Sequence, residues 1–435
     1  MKFSYGKIFL LGFGFFGVSV IWGVYNAFVP IFLANKFGLE AAFIGFFMTL
    51  DNIAALFIQP PVGAWSDRLR TPIGRRLPFI LIGAPVTALA FGLIPLAAVL
   101  PLFVACTSTL LLSAALWRTP VVALMPDVTP SQKRSQANGI INFMGGIGTI
   151  IALQTGGMLY ELSPAFPFWL GSALVVIAAL IVFLFIREPR EYEQNNEPQP
   201  GMLESLREIL NDPDKSARRI LFAIFFWFLG YSAVETFFTL YAQEHLGLSA
   251  GDGATLLSIF PLFFVLFAIP SGFIAARIGR RVAISFGLII VSIVLALFYL
   301  LPAGTLLIPI SPLPLVGIPL IDGGPRMLTM AGVILVFGGI GWAFVNINSL
   351  PMVVELTSVA RLGTFTGLYY LFSTLSAIVG PNINGWAIQL TGNNYNVIML
   401  IAPFFMLTAL ALMLGVRRGE AVTGQRSSPP RARQA

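Results

Sequence analysis

Residues 63–76 read Gly63-Ala64-Trp65-Ser66-Asp67-Arg68-Leu69-Arg70-Thr71-Pro72-Ile73-Gly74-Arg75-Arg76, and they stand between two long apolar runs. Residues 272–281 carry a second version, Gly272-Phe273-Ile274-Ala275-Ala276-Arg277-Ile278-Gly279-Arg280-Arg281, again between apolar runs. Gly63 allows close helix approach. An acid at a helix end followed by arginines makes a charged turn at a membrane surface, where neighbouring arginines or a facing helix N-terminus neutralise the acid. Ala276 occupies the place of Asp67 in the second copy, so the latch there is expected to be weaker.

Outward from these turns the chain has the composition of a protein solvated by lipid. Of its 435 residues 57% are hydrophobic and 10% charged, with a mean hydropathy of +0.86, whereas a water-exposed surface needs about 25% charged residues. A span takes roughly 20 apolar residues. That ruler predicts twelve, near 8–34, 42–65, 78–98, 101–126, 136–160, 166–187, 218–243, 253–276, 281–302, 328–354, 363–389 and 395–416. The net charge of +7 invites a nucleic-acid reading, but the basic residues are not clustered for one. All 26 Lys and Arg except Lys36, Arg118 and Arg326 fall in alternate gaps, while Glu40, Glu161, Glu244, Asp252 and Asp322 sit in the opposite set. This asymmetry places both termini on the cytoplasmic side and predicts a bacterial-type plasma-membrane protein with lipid, not nucleic acid, around it. The first run, Ile8–Leu33, is too long for the core of a signal peptide and is expected to be retained.

The longest cytoplasmic gap divides six spans from six. The chain is therefore expected to comprise a first six-helix bundle (1–187), a cytoplasmic linker (188–217), a second six-helix bundle (218–416) and a disordered tail (417–435). Within the linker, Met202–Leu210 spaces its apolar residues on one face, as a short helix on the membrane surface or a plain solvated linker helix would. A shift of 228 residues superposes Asp127 on Glu355, Lys133 on Arg361, Gly139 on Gly367, Gly157 on Gly385 and Leu162 on Leu390; a shift of 205 places Gly74-Arg75-Arg76 on Gly279-Arg280-Arg281. Ionic residues matching along with glycines argue for a true repeat. An even number of spans per half makes the repeats parallel, with a substrate site between them near mid-membrane.

The turn at 63–76 resembles the signature loop of the major facilitator superfamily, G-x-x-x-D-R followed by G-R-R, which holds the cytoplasmic side closed. The implied fold is an all-α membrane protein with twelve transmembrane helices in two parallel six-helix repeats. Five residues separate Asp67-Arg68 from Gly74, a longer spacing than in the second copy. With Gln59-Pro60-Pro61-Val62-Gly63 before it and Leu77-Pro78-Phe79-Ile80 after it, this stretch looks like the sucrose-transporter family within the glycoside-cation symporters. The likeness continues loosely through Pro120, Asp127 and Asn138, then fades. It implies uptake of a sugar with protons or sodium. Ala55 and Gln59 stand where melibiose-type relatives carry acids, which weighs against sodium.

Ionisable residues inside a span cost about 2.5–3.5 kcal/mol each on insertion scales, so they mark function. Asp51, Arg118 and Glu235 qualify. Asp51 lies roughly 15 Å along its helix at 1.5 Å per residue, near the midplane, and is either a proton carrier or a structural carboxyl. Glu235 follows Tyr231 at i, i+4 on one helix face, suited to proton coupling or to an outer-gate ion pair. Arg118 requires an acid, a carbonyl cluster or a wet cavity; it holds sugar hydroxyls, pairs with Asp51, or serves only to pack helices. The sucrose-transporter pattern has its arginine at Val122, one turn away. Asp127 is a proton and sugar site by that resemblance, or by position an inner-gate acid with Lys133, Arg134 and Glu355. The remaining gate candidates are Asp67, Arg68, Arg75, Arg76, Arg280 and Arg361.

A sugar needs flat apolar faces for its rings and amides or hydroxyls for its rims. Trp22, Tyr25, Asn26, Asn142, Trp342, Asn346, Tyr369 and Asn382 are the substrate candidates, with Gln154, Asn348, Tyr370 and Asn384 beside them; each could equally be interhelical packing. His245 and Cys106 are single residues of their kinds. No nucleophile–base pair, CxxC or P-loop is present, so no enzymatic chemistry, metal or cofactor is expected. The sequence thus predicts proton-coupled sugar uptake by alternating access. Its rival is an exporter of drugs or other amphipathic molecules, favoured if phenylalanines rather than amides line the site.

Overall fold

The structure, a computed structural model, describes residues 5–130, 133–188, 206–207, 209, 214–314, 317–320, 324–357 and 362–419. Eleven helices among the described residues are long and apolar enough to cross a membrane. Leu362–Leu390, 29 residues and more polar, is a twelfth of spanning length. The apolar runs become helices because lipid offers backbone N–H and C=O groups no partner, and only an intrasegment ladder satisfies them.

The helices are α1 (Tyr5–Ile31, running on as a π turn over Phe32–Lys36), α2 (Ala41–Phe47), α3 (Leu50–Arg68), α4 (Leu77–Leu93), α5 (Leu100–Val128), α6 (Arg134–Leu162), α7 (Phe166–Phe185), α8 (Ser216–Glu244), α9 (Ala250–Leu257), α10 (Ile259–Ile278), α11 (Arg280–Leu300), α12 (Ala303–Leu306), α13 (Met330–Val354), α14 (Leu362–Leu390) and α15 (Val397–Leu414). Two expected spans are each interrupted near the end opposite the arginine turns, at Met48–Thr49 and at Ser258. In both, a hydroxyl bonds back to the carbonyl three residues earlier, Thr49 to Phe46 at 2.7 Å and Ser258 to Thr255 at 2.6 Å, a competition with the helix ladder that bends helices. Average hydropathy could not register these breaks.

With α2–α3 and α9–α10 each counted as one interrupted helix, two sets of six pack by the same scheme. The first helix of each set lies on the fifth and sixth (α1 on α6 and α7; α8 on α14 and α15). The second lies on the fourth (α3 on α5; α10 on α13), and the third on the fourth and sixth (α4 on α5 and α7; α11 on α13 and α15). The sets meet where α2 crosses α14, α9 crosses α6, and α1 faces α8. Glycine allows the tightest of these crossings: a Cβ at Gly157 of α6 would collide with the Gly251 carbonyl of α9, and one at Gly385 of α14 with the Ala41 carbonyl of α2. Small residues bring helix backbones together where lipid gives no hydrophobic drive.

The segment from Pro302 to Arg326, expected to be irregular, contains a small antiparallel sheet of β1 (Pro309–Pro312), β2 (Ile318–Pro319) and β3 (Arg326–Thr329), ordered β1-β3-β2. Arg326 ties it to the helices, donating to the Gly317 carbonyl at 2.8 Å and lying 3.6 Å from Asp252 at the start of α9. Of the expected helix at Met202–Leu210, Leu206, Arg207 and Ile209 are described and helical; the rest, most of the 188–217 linker, Asp322 and the tail beyond Gly419 lie outside the described residues.

Candidate functional site

The interruption at Thr49 starts α3 at Leu50 and puts Asp51 in its first turn, where one carboxylate oxygen accepts from Asn52 Nδ2 at 2.7 Å. From α5, half-buried Arg118 lies within electrostatic reach of Asp51 on one side and of Tyr370, on α14, on the other. No ion pair within 4.0 Å joins Arg118 to Asp51 among the described residues, so the guanidinium attracts both neighbours without being consumed by either. Glu235 enters from α8. It accepts from Asn26 Nδ2 of α1 at 3.4 Å, is faced by the Tyr231 hydroxyl one turn earlier, and also feels the field of Asp51. The three intramembrane ionisable residues, distant in sequence, thus converge at the middle of the bundle. Two acids and one arginine share the site.

Beside Glu235 stands an aromatic wall. Tyr231 stacks on Trp342 with centroids 4.4 Å apart and planes 6° from parallel; Phe228 meets Trp342 edge-on at 5.6 Å and Tyr369 at 6.2 Å, and Phe260 lies 6.2 Å from Tyr231. Stacked and edge-to-face pairs at these separations are the favoured aromatic geometries. Tyr370, 56% exposed, extends the wall beyond Tyr369.

The amides are placed differently from what a sugar site would ask. Asn142 is exposed and donates to its own helix at Asn138 O, 2.8 Å. Asn382 donates to Ile378 O at 2.7 Å and to Thr49 Oγ1 at 3.4 Å, and Asn26 is committed to Glu235. Asn346 is half-buried one turn after Trp342, its carbonyl accepting from Ser349 Oγ. Tyr25 is 1% exposed, packed edge-on against half-buried Trp22 at 5.5 Å. The Tyr369 hydroxyl pairs with Ser349 Oγ at 3.0 Å. Asn348 and Asn384 are buried and bond back to their own helix, and Gln154 meets Ser258.

At the arginine-rich end, Asp127 has different partners from those the sequence suggested. Its carboxylate bridges Arg75, at 2.7 Å, and Arg76, at 3.1 Å, instead of Lys133 and Glu355. The long 69–74 loop makes this possible by folding Gly74-Arg75-Arg76 back over the end of α5. Arg76, 4% exposed, also bonds Ser66 and Asp67. Asp67 is neutralised by these neighbouring arginines, Arg75 at 3.9 Å included, while its side chain stays 55% exposed. Arg68 is exposed at the helix end. In the second set Arg280 pairs with Glu355 at 3.2 Å. The Arg134 side chain and Arg361 lie outside the described residues.

Sequence reasoning missed Glu188. Its carboxylate accepts from three consecutive backbone N–H groups at the start of α4, those of Arg75, Arg76 and Leu77, at 2.9, 2.8 and 2.8 Å. A carboxylate there satisfies orphan donors and meets the positive end of the helix dipole. Gly74 makes the room: its φ is +124°, and a Cβ would lie 2.6 Å from that carboxylate. The only signal was an acid directly after the expected sixth span.

Comparison with known proteins agrees with this architecture. The Major Facilitator Superfamily profile matches residues 11–324. Multidrug resistance protein 2 of Bacillus subtilis (strain 168) is 24% identical over 407 residues, 92% of this chain and 91% of that protein. The class E tetracycline resistance protein of Escherichia coli is 25% identical over 402 residues, covering 89% and 91%. Among solved structures, the nucleoside transporter NupG superposes with a TM-score of 0.72 at 18% identity, covering 94% of this chain and all of that one. A bacterial homolog of the human lysosomal transporter Spinster, inward-facing and occupied, gives 0.71 at 16%, covering 98% and 100%. A membrane-embedded bundle of this form, matched by the family profile over most of its length, makes the chain an integral membrane transport protein of the major facilitator superfamily.

Proposed function

We propose that the protein exports amphipathic aromatic molecules, cations above all, in exchange for protons. The observation that carries this reading is the aromatic wall of Phe228, Tyr231, Phe260, Trp342 and Tyr369 set against Glu235 and Asp51, with the Asn142 and Asn382 amides bonded back to their own helices. Two acids against Arg118 leave the site one negative charge when all are ionised, which suits a planar cation over an aromatic face. The relatives, multidrug and tetracycline resistance proteins, point the same way. The sugar reading is weakened where Asn382 commits its amide to Ile378 O and Thr49 Oγ1 and Asn142 bonds back to its own helix, although Arg118 and Asn346 remain suited to hydroxyls.

The two helix sets, 1–187 and 218–416, act as bodies that rock about the central site, joined by 188–217. With the arginine-rich end taken as cytoplasmic by charge asymmetry, the crossings of α2 with α14 and α9 with α6 close the outer end. The ion pairs described at the cytoplasmic end join residues of the same set, as in a form open to the cytoplasm. Asp51 and Glu235 then alternate between carrying a proton and attracting substrate, since a carboxyl that is neutral in one state and ionised in the other couples the two fluxes.

The test uses everted vesicles or proteoliposomes with ethidium as probe. An acidic lumen should drive ethidium accumulation, and Glu235→Gln should reduce it at least tenfold, roughly the loss of one transported charge's contribution. Proton-driven uptake of a radiolabelled disaccharide, with ethidium unmoved, would overturn export in favour of the sugar reading.

A further inference from the structure

The two helix breaks carry matching hydrogen bonds. Thr49 and Ser258 lie 209 positions apart, the same offset that takes Gly63 to Gly272 and Arg68 to Arg277, so they are equivalent residues of the two sets. Their amide neighbours are equivalent as well. Gln154 and Asn382 lie 228 apart, the offset that superposes Gly157 on Gly385. Each amide belongs to the opposite set from the hydroxyl it meets: Asn382 Nδ2 lies 3.4 Å from Thr49 Oγ1, and the Gln154 amide oxygen lies 2.8 Å from Ser258 Oγ.

The chemistry at the second contact can be taken further. A serine hydroxyl has one proton, and the Thr255 carbonyl 2.6 Å from Ser258 Oγ claims it. Gln154 Nε2 is buried with no partner among the described residues. Turning the amide by 180°, which exchanges its oxygen and nitrogen, lets Nε2 donate to Ser258 Oγ and leaves the serine proton to the Thr255 carbonyl. The two sites then become chemically identical. An amide N–H of one set donates to a hydroxyl at the helix break of the other, and that hydroxyl donates to the carbonyl three residues before it. Both sit beside the glycine crossings, Gly157 of α6 against α9 and Gly385 of α14 against α2, where backbone meets backbone.

We propose that Gln154 with Ser258 and Asn382 with Thr49 are two equivalent clasps that hold the outer end shut, positioning residues whose release lets α2 and α9 swing away from α14 and α6. This rests on the alternating-access reading above. The duplicated form matters physically: each clasp crosses the interface between the rocking bodies, so both must open in the same step, and both bias one equilibrium.

The experiment measures that equilibrium at the two ends of the molecule. Spin labels are placed in a Cys106→Ser background at Glu40 and Glu244 for the outer end and, separately, at exposed Ile73 and Ile278 for the arginine end. Pulsed dipolar spectroscopy in nanodiscs then gives the populations of open and closed forms. Thr49→Val and Ser258→Ala, and independently Gln154→Leu and Asn382→Leu, should each raise the outer-open to outer-closed ratio about three- to tenfold, the range for one lost neutral hydrogen bond. The distance at the arginine end should shorten in step. Thr49→Ser and Ser258→Thr, which keep the hydroxyl, should stay within about twofold of the parent. A combined Gln154→Leu/Asn382→Leu variant should multiply the single effects. Should all four hydroxyl- and amide-deleting variants remain folded with unchanged populations at both ends while the parent exchanges between two forms, the clasps are refuted and alternating access survives. A parent confined to one distance at each end, at every pH and with or without ethidium, sinks the alternating-access reading and the clasps with it.

Discussion

The two arginine turns descend from one sequence pattern and are anchored in different ways. In the first, Arg75 and Arg76 share Asp127, Arg76 reaches Asp67 and Ser66, and Glu188 holds the backbone of the turn from the end of the sixth helix. In the second, Ala276 replaces the acid. Arg280 pairs with Glu355, 40% exposed, and donates to the Pro351 carbonyl, while Arg281 donates to the Val416 carbonyl at the end of α15. The arginines of the first turn lock to carboxylates in a largely buried network, whereas those of the second divide between one half-exposed carboxylate and helix-end carbonyls. The first turn is thus a rigid part of its own bundle, and the second is tied through backbone contacts to α13 and α15.

The sharpest way to break this comparison is to delete the central acid of each turn. Asp127→Ala removes the carboxylate shared by buried Arg76 and half-buried Arg75, leaving them the more exposed Asp67, and should destabilise the protein by up to about 3–5 kcal/mol, the usual cost of removing one partner from a buried pair. Glu355→Ala, at an exposed pair, should cost about 0–1 kcal/mol. Thermal unfolding of the purified protein in one detergent compares them, and equal losses would dissolve the distinction between the turns. Glu188→Ala comes next, with an expected loss of about 1–2 kcal/mol from an uncapped helix start. Glu188→Gln, which keeps one acceptor oxygen but no charge, should fall between it and the parent. The smallest effect is expected from Ala276→Asp, which restores the missing acid at an exposed helix end. It should stabilise by no more than about 1 kcal/mol, and the gain should fade as salt is raised.

Much of the fold was legible because its cause is local and repeated. An apolar run of 20 residues in lipid has one solution for its backbone, and the alternation of arginine-rich gaps counts the crossings. The repeat was visible because Asp127–Glu355 and Gly157–Gly385 preserve charge and size at fixed offsets. Of the site, the sequence singled out Asp51, Arg118 and Glu235 from the cost of ionisable groups in lipid. It could not say that three different helices bring them together, or that Asn142 and Asn382 bond back to their own helices. The helix breaks escaped for the opposite reason: Thr49 and Ser258 are small polar residues inside apolar runs, and nothing in a hydropathy average distinguishes a hydroxyl bonded back to its helix from one facing a partner.

Sequence alone therefore determined the solvent, the helices, the duplication and which ionisable residues had to find company within the bilayer, since each follows from transfer energies that act residue by residue. Tertiary structure decided who keeps that company. Asp127 went to Arg75 and Arg76, Glu188 to the start of α4, and Gln154 and Asn382 to hydroxyls of the opposite set. Hydrogen bonds and ion pairs reach only about 3 Å, and which groups come that close depends on helix crossings fixed by packing over the whole molecule.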